Sequence, residues 1–335
     1  MKLRKEITLT SKVVPVRFPV AGIDVSPWLP PLVSLAVATL TTPAGVSGAF
    51  LLLPFQVSVL GFTSPAVSPT NLVYNLVAIP GGLWRYIREG RMVWPLTWVV
   101  VAGTLPGVFA GAIIRLNYLP NPRAFKFFVG LVLLYLGGRL LYELTGRYSR
   151  GRERLRSLEA KFRERALAAR REGKRVAAGL SGEAVVRTCT FNWRQVEYEF
   201  WGERFSFNVP TLFLVALVVG IVGGIYGIGG GAIIAPFCCA VFALPAYTVA
   251  GAALAGTFLT SIVGVVYYTI LAPLYPQMAV KPDWLLGFLF GIGGLTGTNL
   301  GARLQKFLPE QVIRGILGIL VLFLALSYIY QFLRG

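Results

Sequence analysis

The chain has no histidine, and only 14 of its 335 residues are Asp or Glu. Without histidine the commonest metal ligand is missing, and so is the side chain that ordinarily moves protons near neutral pH. Three cysteines, Cys189, Cys238 and Cys239, make no disulfide framework and have no metal-ligand spacing. The carboxylates near the apolar runs, Glu89, Glu143, Asp283 and Glu310, all stand at run ends. Proton pumps and carboxylate-coordinated cation carriers need such groups inside. An intramembrane hydrolase needs a His, a carboxylate pair or a metal. The expectation is therefore no metal, no cofactor and no enzymatic centre. Met1–Ser26 also lacks the apolar core of a secretory signal.

What the chain has is uncharged sequence. It is 55% hydrophobic with mean hydropathy +0.67. Charge is absent from Val25–Trp84, Met92–Ile114, Phe127–Gly138, Phe205–Val280, Trp284–Ala302 and Gly315–Leu333. A crossing takes about 20 mainly apolar residues, so the two long runs must each hold more than one. The pattern predicts an all-α polytopic membrane protein of about eight transmembrane helices. The expected spans are 29–53, 66–87, 92–115, 121–143, 209–243, 246–272, 284–304 and 309–333.

The chain also repeats itself. Gly45–Phe55 aligns without gaps on Gly227–Phe237, with Pro54 on Pro236. Pro106-Gly107 and Gly111-Ala112 then match Thr296-Gly297 and Gly301-Ala302, and Leu119-Pro120 matches Leu308-Pro309. Two repeats follow, each opening on a glycine-broken first helix. The organisation predicted is a 1–28 cytoplasmic N-terminal segment, a 29–145 first membrane repeat, a 146–208 basic cytoplasmic loop and a 209–335 second membrane repeat.

Charge suggests orientation. Lys and Arg exceed Asp and Glu by 18, and 16 of the 32 basic residues lie in Arg139–Arg204. Such a cluster between membrane blocks reads as a cytoplasmic loop lying on anionic lipid, not as a nucleic-acid site. An even number of crossings per half puts 26 basic residues on the side of the termini and the loop, and six on the other. On that count both termini are cytoplasmic and the repeats are parallel, two four-helix units related by an axis along the membrane normal. Within the loop, 152–170 has helical periodicity, and alternation around Asn192-Trp193 predicts a hairpin.

The breaks are the candidate site. In hydrocarbon, irregular backbone survives only where protein buries it or it lines a cavity. A half-helix starting at about Ala232 would point unpaired N–H groups and the positive end of its dipole at the break, forming an anion site that needs no cation. The candidates are Gly45, Ser47 and Gly48 in the first break and Gly227, Gly229, Gly230 and Gly231 in the second. Asn71, Asn75, Thr257 and Asn299, polar residues in apolar runs, join them as groups that tune selectivity. The competing reading of these residues is tight packing of small side chains and interhelical hydrogen bonds, worth about 0.6 kcal/mol each. Cys238 and Cys239 read as small hydrophobes.

With its halves each opening on a glycine-rich segment that ends in Pro, the chain resembles the sulfite exporter TauE/SafE family of membrane permeases. Gly224–Pro236 carries the resemblance most strongly, and Gly45–Pro54 is a weaker copy, with Ser47 and Ala49 where glycines stand in the second. It covers about 25–145 and 207–333. The resemblance implies a multi-pass cell-membrane permease for small inorganic or organic anions, sulfite or organosulfonates foremost. The basic loop is longer than the family's usual connector. Alternatives are an anion channel, or a membrane-anchored scaffold or enzyme acting through the loop.

Overall fold

The computed structural model describes residues 15–42, 47–88, 90–145, 157, 164, 186–200, 202–304 and 310–334. A small antiparallel hairpin, β1 (Val16–Phe18) and β2 (Ile23–Val25), precedes α1 (Leu29–Thr41) and α2 (Ala49–Ser58). Then come α3 (Val67–Ala78), α4 (Pro80–Arg88), α5 (Trp94–Asn117) and α6 (Pro122–Tyr142). After the basic segment a three-stranded antiparallel sheet, β3 (Arg187–Phe191), β4 (Gln195–Phe200) and β5 (Glu203–Asn208), leads directly into α7 (Val209–Tyr226). The chain continues through α8 (Gly231–Val241), α9 (Ala246–Leu271), α10 (Trp284–Leu304) and α11 (Glu310–Leu333).

Local sequence sets these boundaries. Asn121 and Asn208 cap α6 and α7 by accepting from Arg123 N and Thr211 N, each with proline in the first turn. Pro80-Gly81-Gly82 divides the expected 66–87 span into α3 and α4, since proline lacks an N–H and glycine is a poor helix former. Five helices among the described residues are long and apolar enough to cross a membrane: Trp94–Asn117, Pro122–Tyr142, Val209–Tyr226, Thr248–Leu274 and Gln311–Leu333. The protein is thus a helical, polytopic membrane protein. The helix expected at 152–170 lies outside the described residues apart from 157 and 164.

Glycine ladders fix how the helices run. On α5, Gly103, Gly107 and Gly111 meet Phe213–Ala216, Leu217–Ile221 and Ile221–Ile225 of α7 in turn, so α5 and α7 are parallel. On α10, Gly293, Gly297 and Gly301 meet Pro31, Leu35 and Thr39 of α1 in the same sense. A Cβ at any of these six would press on the facing backbone, so glycine is what lets the axes approach. The pair α6 and α11 runs the other way. Glu143 binds Arg314 at 3.3 Å, Gly137 meets Leu322, and Phe127 stacks on Phe332 at 4.4 Å.

That antiparallel pair corrects the expected parallel repeats. In halves related by an axis along the membrane normal, the last helix of each must run in the same direction, and α6 and α11 do not. The hairpins supply the reason. Gly227–Gly230 turns the chain back, so that α8 climbs beside α9: Gly231 meets Ala253 and Thr257, while α9 itself begins at Ala246. A helix that returns to the side it left adds no crossing, and hydropathy cannot distinguish it from one that continues.

The expectation that the termini and the basic loop share one side is corrected with it. Val186 N donates to Gly90 O, and Tyr198 Oη lies 2.8 Å from Thr248 Oγ1, so the sheet sits where α5 and α9 begin. Burial raises the Tyr198 phenol above its ordinary value and keeps it a hydrogen-bonding hydroxyl. At the opposite end Tyr275 Oη donates to Asn117 Oδ1, and Ala21 N donates to Asp283 Oδ2. The β1–β2 hairpin and the end of α11 therefore stand at the end away from the sheet, not beside it.

Candidate functional site

The second break is a tight turn. Gly227 and Gly229 have φ of +84° and +77°, which side chains other than glycine rarely adopt. Neighbours crowd the turn: a Cβ would press on Ser68 at Gly227, lie 2.9 Å from Thr257 Cγ2 at Gly229 and 2.5 Å from Thr104 Cβ at Gly230. At Gly231 it would meet the Ala253 carbonyl.

A helix that ends in an apolar interior leaves carbonyls that must find donors. Here they do. Gly223 O accepts from Gly227 N and Ile228 N. Tyr268 Oη donates to Gly224 O at 2.9 Å, and Ser68 Oγ to Ile225 O at 2.8 Å. Asn71 Nδ2 donates to Gly227 O, and Asn75 Nδ2 to Ile228 O. On the amide side, Gly230 N donates to Thr260 Oγ1 at 3.1 Å.

The first break meets the second through one side chain. Asn71 Nδ2 lies 3.0 Å from Ala49 O, at the start of α2, and 3.0 Å from Gly227 O. Its Oδ1 accepts from Gln56 Nε2. Ser47 Oγ accepts from Ala49 N, and a Cβ on Gly48 would lie 2.9 Å from Tyr74 Oη. Gly45 lies outside the described residues. Asn71 thus joins the first turn of α2 to the turn that closes α7 and leads into α8.

The predicted residues divide. Ser47, Gly48, Asn71, Asn75, Gly227, Gly229, Gly230, Gly231 and Thr257 gather at this junction. Asn299 does not: it is exposed, and its amide donates to Leu295 O of its own helix. The amides of Asn71 and Asn75 are also committed otherwise than expected. Both hydrogens of each are engaged, those of Asn75 by Ile228 O and Ser261 Oγ, and hold backbone and side chain in place. Gln56 Oε1 and Asn75 Oδ1, both buried, are the amide acceptors here with no partner. Sequence reasoning missed Gln56, Ser68, Tyr226 and Tyr268. One signal was available: Pro54 deprives the Phe50 carbonyl of its helical donor, and Tyr226 supplies one.

No cluster of His, Cys, Asp or Glu that could hold a metal occurs among the described residues. Comparison with known proteins points one way. The family model described as "Sulfite exporter TauE/SafE" matches residues 31–328. The chain is also similar to the "Probable membrane transporter protein YunE" of Bacillus subtilis (strain 168), 26% identical over 127 residues. That match spans 38% of this chain and 44% of the relative, less than half of its length. No solved structure matches.

Proposed function

The chain belongs to the sulfite exporter TauE/SafE family, a family of membrane transporters, and from that premise we propose a secondary permease for small anions of the sulfite and sulfonate class. The observation that carries this is the pair of hydrogen bonds from Asn71 Nδ2 to Ala49 O, in the first turn of α2, and to Gly227 O, in the turn that leads into α8, which ties the two short helices to one junction. Their positive dipole ends favour a small anion, and no charged side chain lies in Phe205–Val280 or Val25–Trp84 to oppose it. The amide hydrogens expected to meet the anion are replaced in that role by the backbone of the two starts. Gln56 Oε1 and Asn75 Oδ1, both acceptors, suit a hydroxyl or ammonium group of an organosulfonate and not its SO3 oxygens.

We read the architecture as two inverted repeats. The helix pairing supports this: α5 on α7 answers α10 on α1, and α9 on α5 answers α3 on α10, when the halves are exchanged. The glycine ladders tie the first helix of each half to the third helix of the other. The bodies that rock for alternating access are therefore α1, α2, α3 and α10 against α5, α7, α8 and α9, and the Asn71–Gly227 contact lies on their boundary. The basic segment faces the cytoplasm in this reading, supported by 16 of the 32 Lys/Arg in Arg139–Arg204. The β1–β2 hairpin and the end of α11 then face outward. Lipid contact at the basic segment follows from the same charge.

The test is flux in proteoliposomes with radiolabelled sulfite, sulfate, thiosulfate and a panel of sulfonates. Saturable uptake with counterflow is expected for sulfite or a sulfonate. Linear flux without counterflow would make the protein a channel, and no binding or flux across the panel would remove the sulfur-anion reading.

A further inference from the structure

Arg115 continues the stripe that packs α5 on α7: Gly103, Gly107 and Gly111 recur every four residues, and Arg115 follows at the same spacing. A Cβ on Gly111 already meets Ile225, next to the last residue of α7, so Arg115 stands at the carbonyl end of that helix. The side chain has no exposed surface. Its guanidinium carbon lies 3.7 Å from the centroid of the Phe125 ring, and Nη1 donates to Leu119 O. Nε and Nη2 are buried without a hydrogen-bond partner.

No ion pair to Arg115 occurs among the described residues. Asp283, the buried acid at this end of the bundle, accepts from Ala21 N and Leu286 N. A buried charge with one edge unpaired is unfavourable, and the negative end of α7 offsets only part of that. The two unpaired nitrogens are those on the side-on edge of the guanidinium, which takes two oxygens of one oxyanion in parallel hydrogen bonds. Ring stacking and the Leu119 contact hold that edge in a fixed orientation.

We propose that Arg115 is an oxyanion-binding residue, a station for a sulfite or sulfonate SO3 group between the central breaks and the end of the bundle away from the sheet. This rests on the permease reading above. In the present conformation the station is closed over by Leu119 and Phe125; movement of the turn into α6 away from the ends of α5 and α7 would admit the anion.

The experiment compares full-length wild type, Arg115→Gln and Arg115→Lys in nanodiscs, titrated calorimetrically with sulfite and with methanesulfonate. Arg115→Gln should weaken binding by about tenfold or more, and Arg115→Lys, which keeps the charge and loses the fork, by less. Thermal unfolding without ligand should not fall for Arg115→Gln, because an unpaired buried charge has been removed. If wild type binds neither anion, the sulfur-anion reading fails on its own account. If wild type binds and folded Arg115→Gln binds equally well, the station is overturned and the permease reading stands. Should Arg115→Gln fail to fold, modification of wild-type Arg115 by phenylglyoxal in proteoliposomes decides. Protection by methanesulfonate supports the station; equal modification with and without the anion, or no modification during turnover, overturns it.

Discussion

Tyr226 Oη donates to the carbonyl of Phe50 at 2.6 Å, joining the last turn of α7 to the first turn of α2. That carbonyl is the one Pro54 leaves without an N–H four residues on. Both groups are buried, so each would otherwise stand unpaired in an apolar interior. Tyr226→Phe should lower stability by about 1–3 kcal/mol, the range for a buried acceptor left unmade. Pro54→Ala restores a helical donor and should shrink that loss. Thermal unfolding of the single and double variants in detergent measures the coupling; additive effects would show that the tyrosine and the proline are unrelated.

Asn71→Leu removes the donors to Ala49 O and Gly227 O together. A loss of about 1–2 kcal/mol is expected for two such bonds in a membrane protein, with anion flux falling further because the first turn of α2 separates from the turn that leads into α8. Asn299→Leu, on an exposed face and bonded within its own helix, should change neither. Paired melting and flux assays would expose an error if the two variants behaved alike.

The opposed ends of the bundle can be labelled. In a background lacking Cys189, Cys238 and Cys239, single cysteines at Trp193 and Arg334 should react with a membrane-impermeant thiol reagent from opposite sides. Trp193 is 90% exposed in the β3–β4 turn, and Arg334 follows α11. Intact cells should label Arg334→Cys, and Trp193→Cys only after permeabilisation. Labelling of both from one side would contradict the antiparallel α6–α11 pair.

The ladders predict where one methyl group matters. Gly107→Ala and Gly297→Ala would press a Cβ against Gly220 and Leu217 of α7, and against Leu35 of α1 at 2.5 Å. Each should cost about 1–3 kcal/mol from overpacking. Gly138→Ala has nothing within 4 Å and should be neutral or slightly stabilising. Melting temperatures of the three variants suffice, and an unaffected Gly107→Ala would mean that α5 and α7 can separate freely.

Composition alone dictated the membrane, since 76 residues from Phe205 to Val280 without a charge have no stable home in water. The position of the second break was legible too, because glycine acts locally: positive φ at Gly227 and Gly229 is a property of single residues. Direction was not. An apolar helix has the same composition whichever way it runs, so only the turn at Gly227–Gly230 and the α6–α11 pairing showed that the last helices of the two halves run in opposite directions. The roles of Asn71 and Asn75 were hidden for a related reason. An amide four residues from another marks a polar helix face, but whether that face meets a ligand or a carbonyl depends on where the neighbouring helix ends, and α7 ends there. Arg115 reads in sequence as a charge at a span end; only the ring of Phe125 and the carbonyl of Leu119, brought over it by the turn into α6, bury it with one edge unpaired.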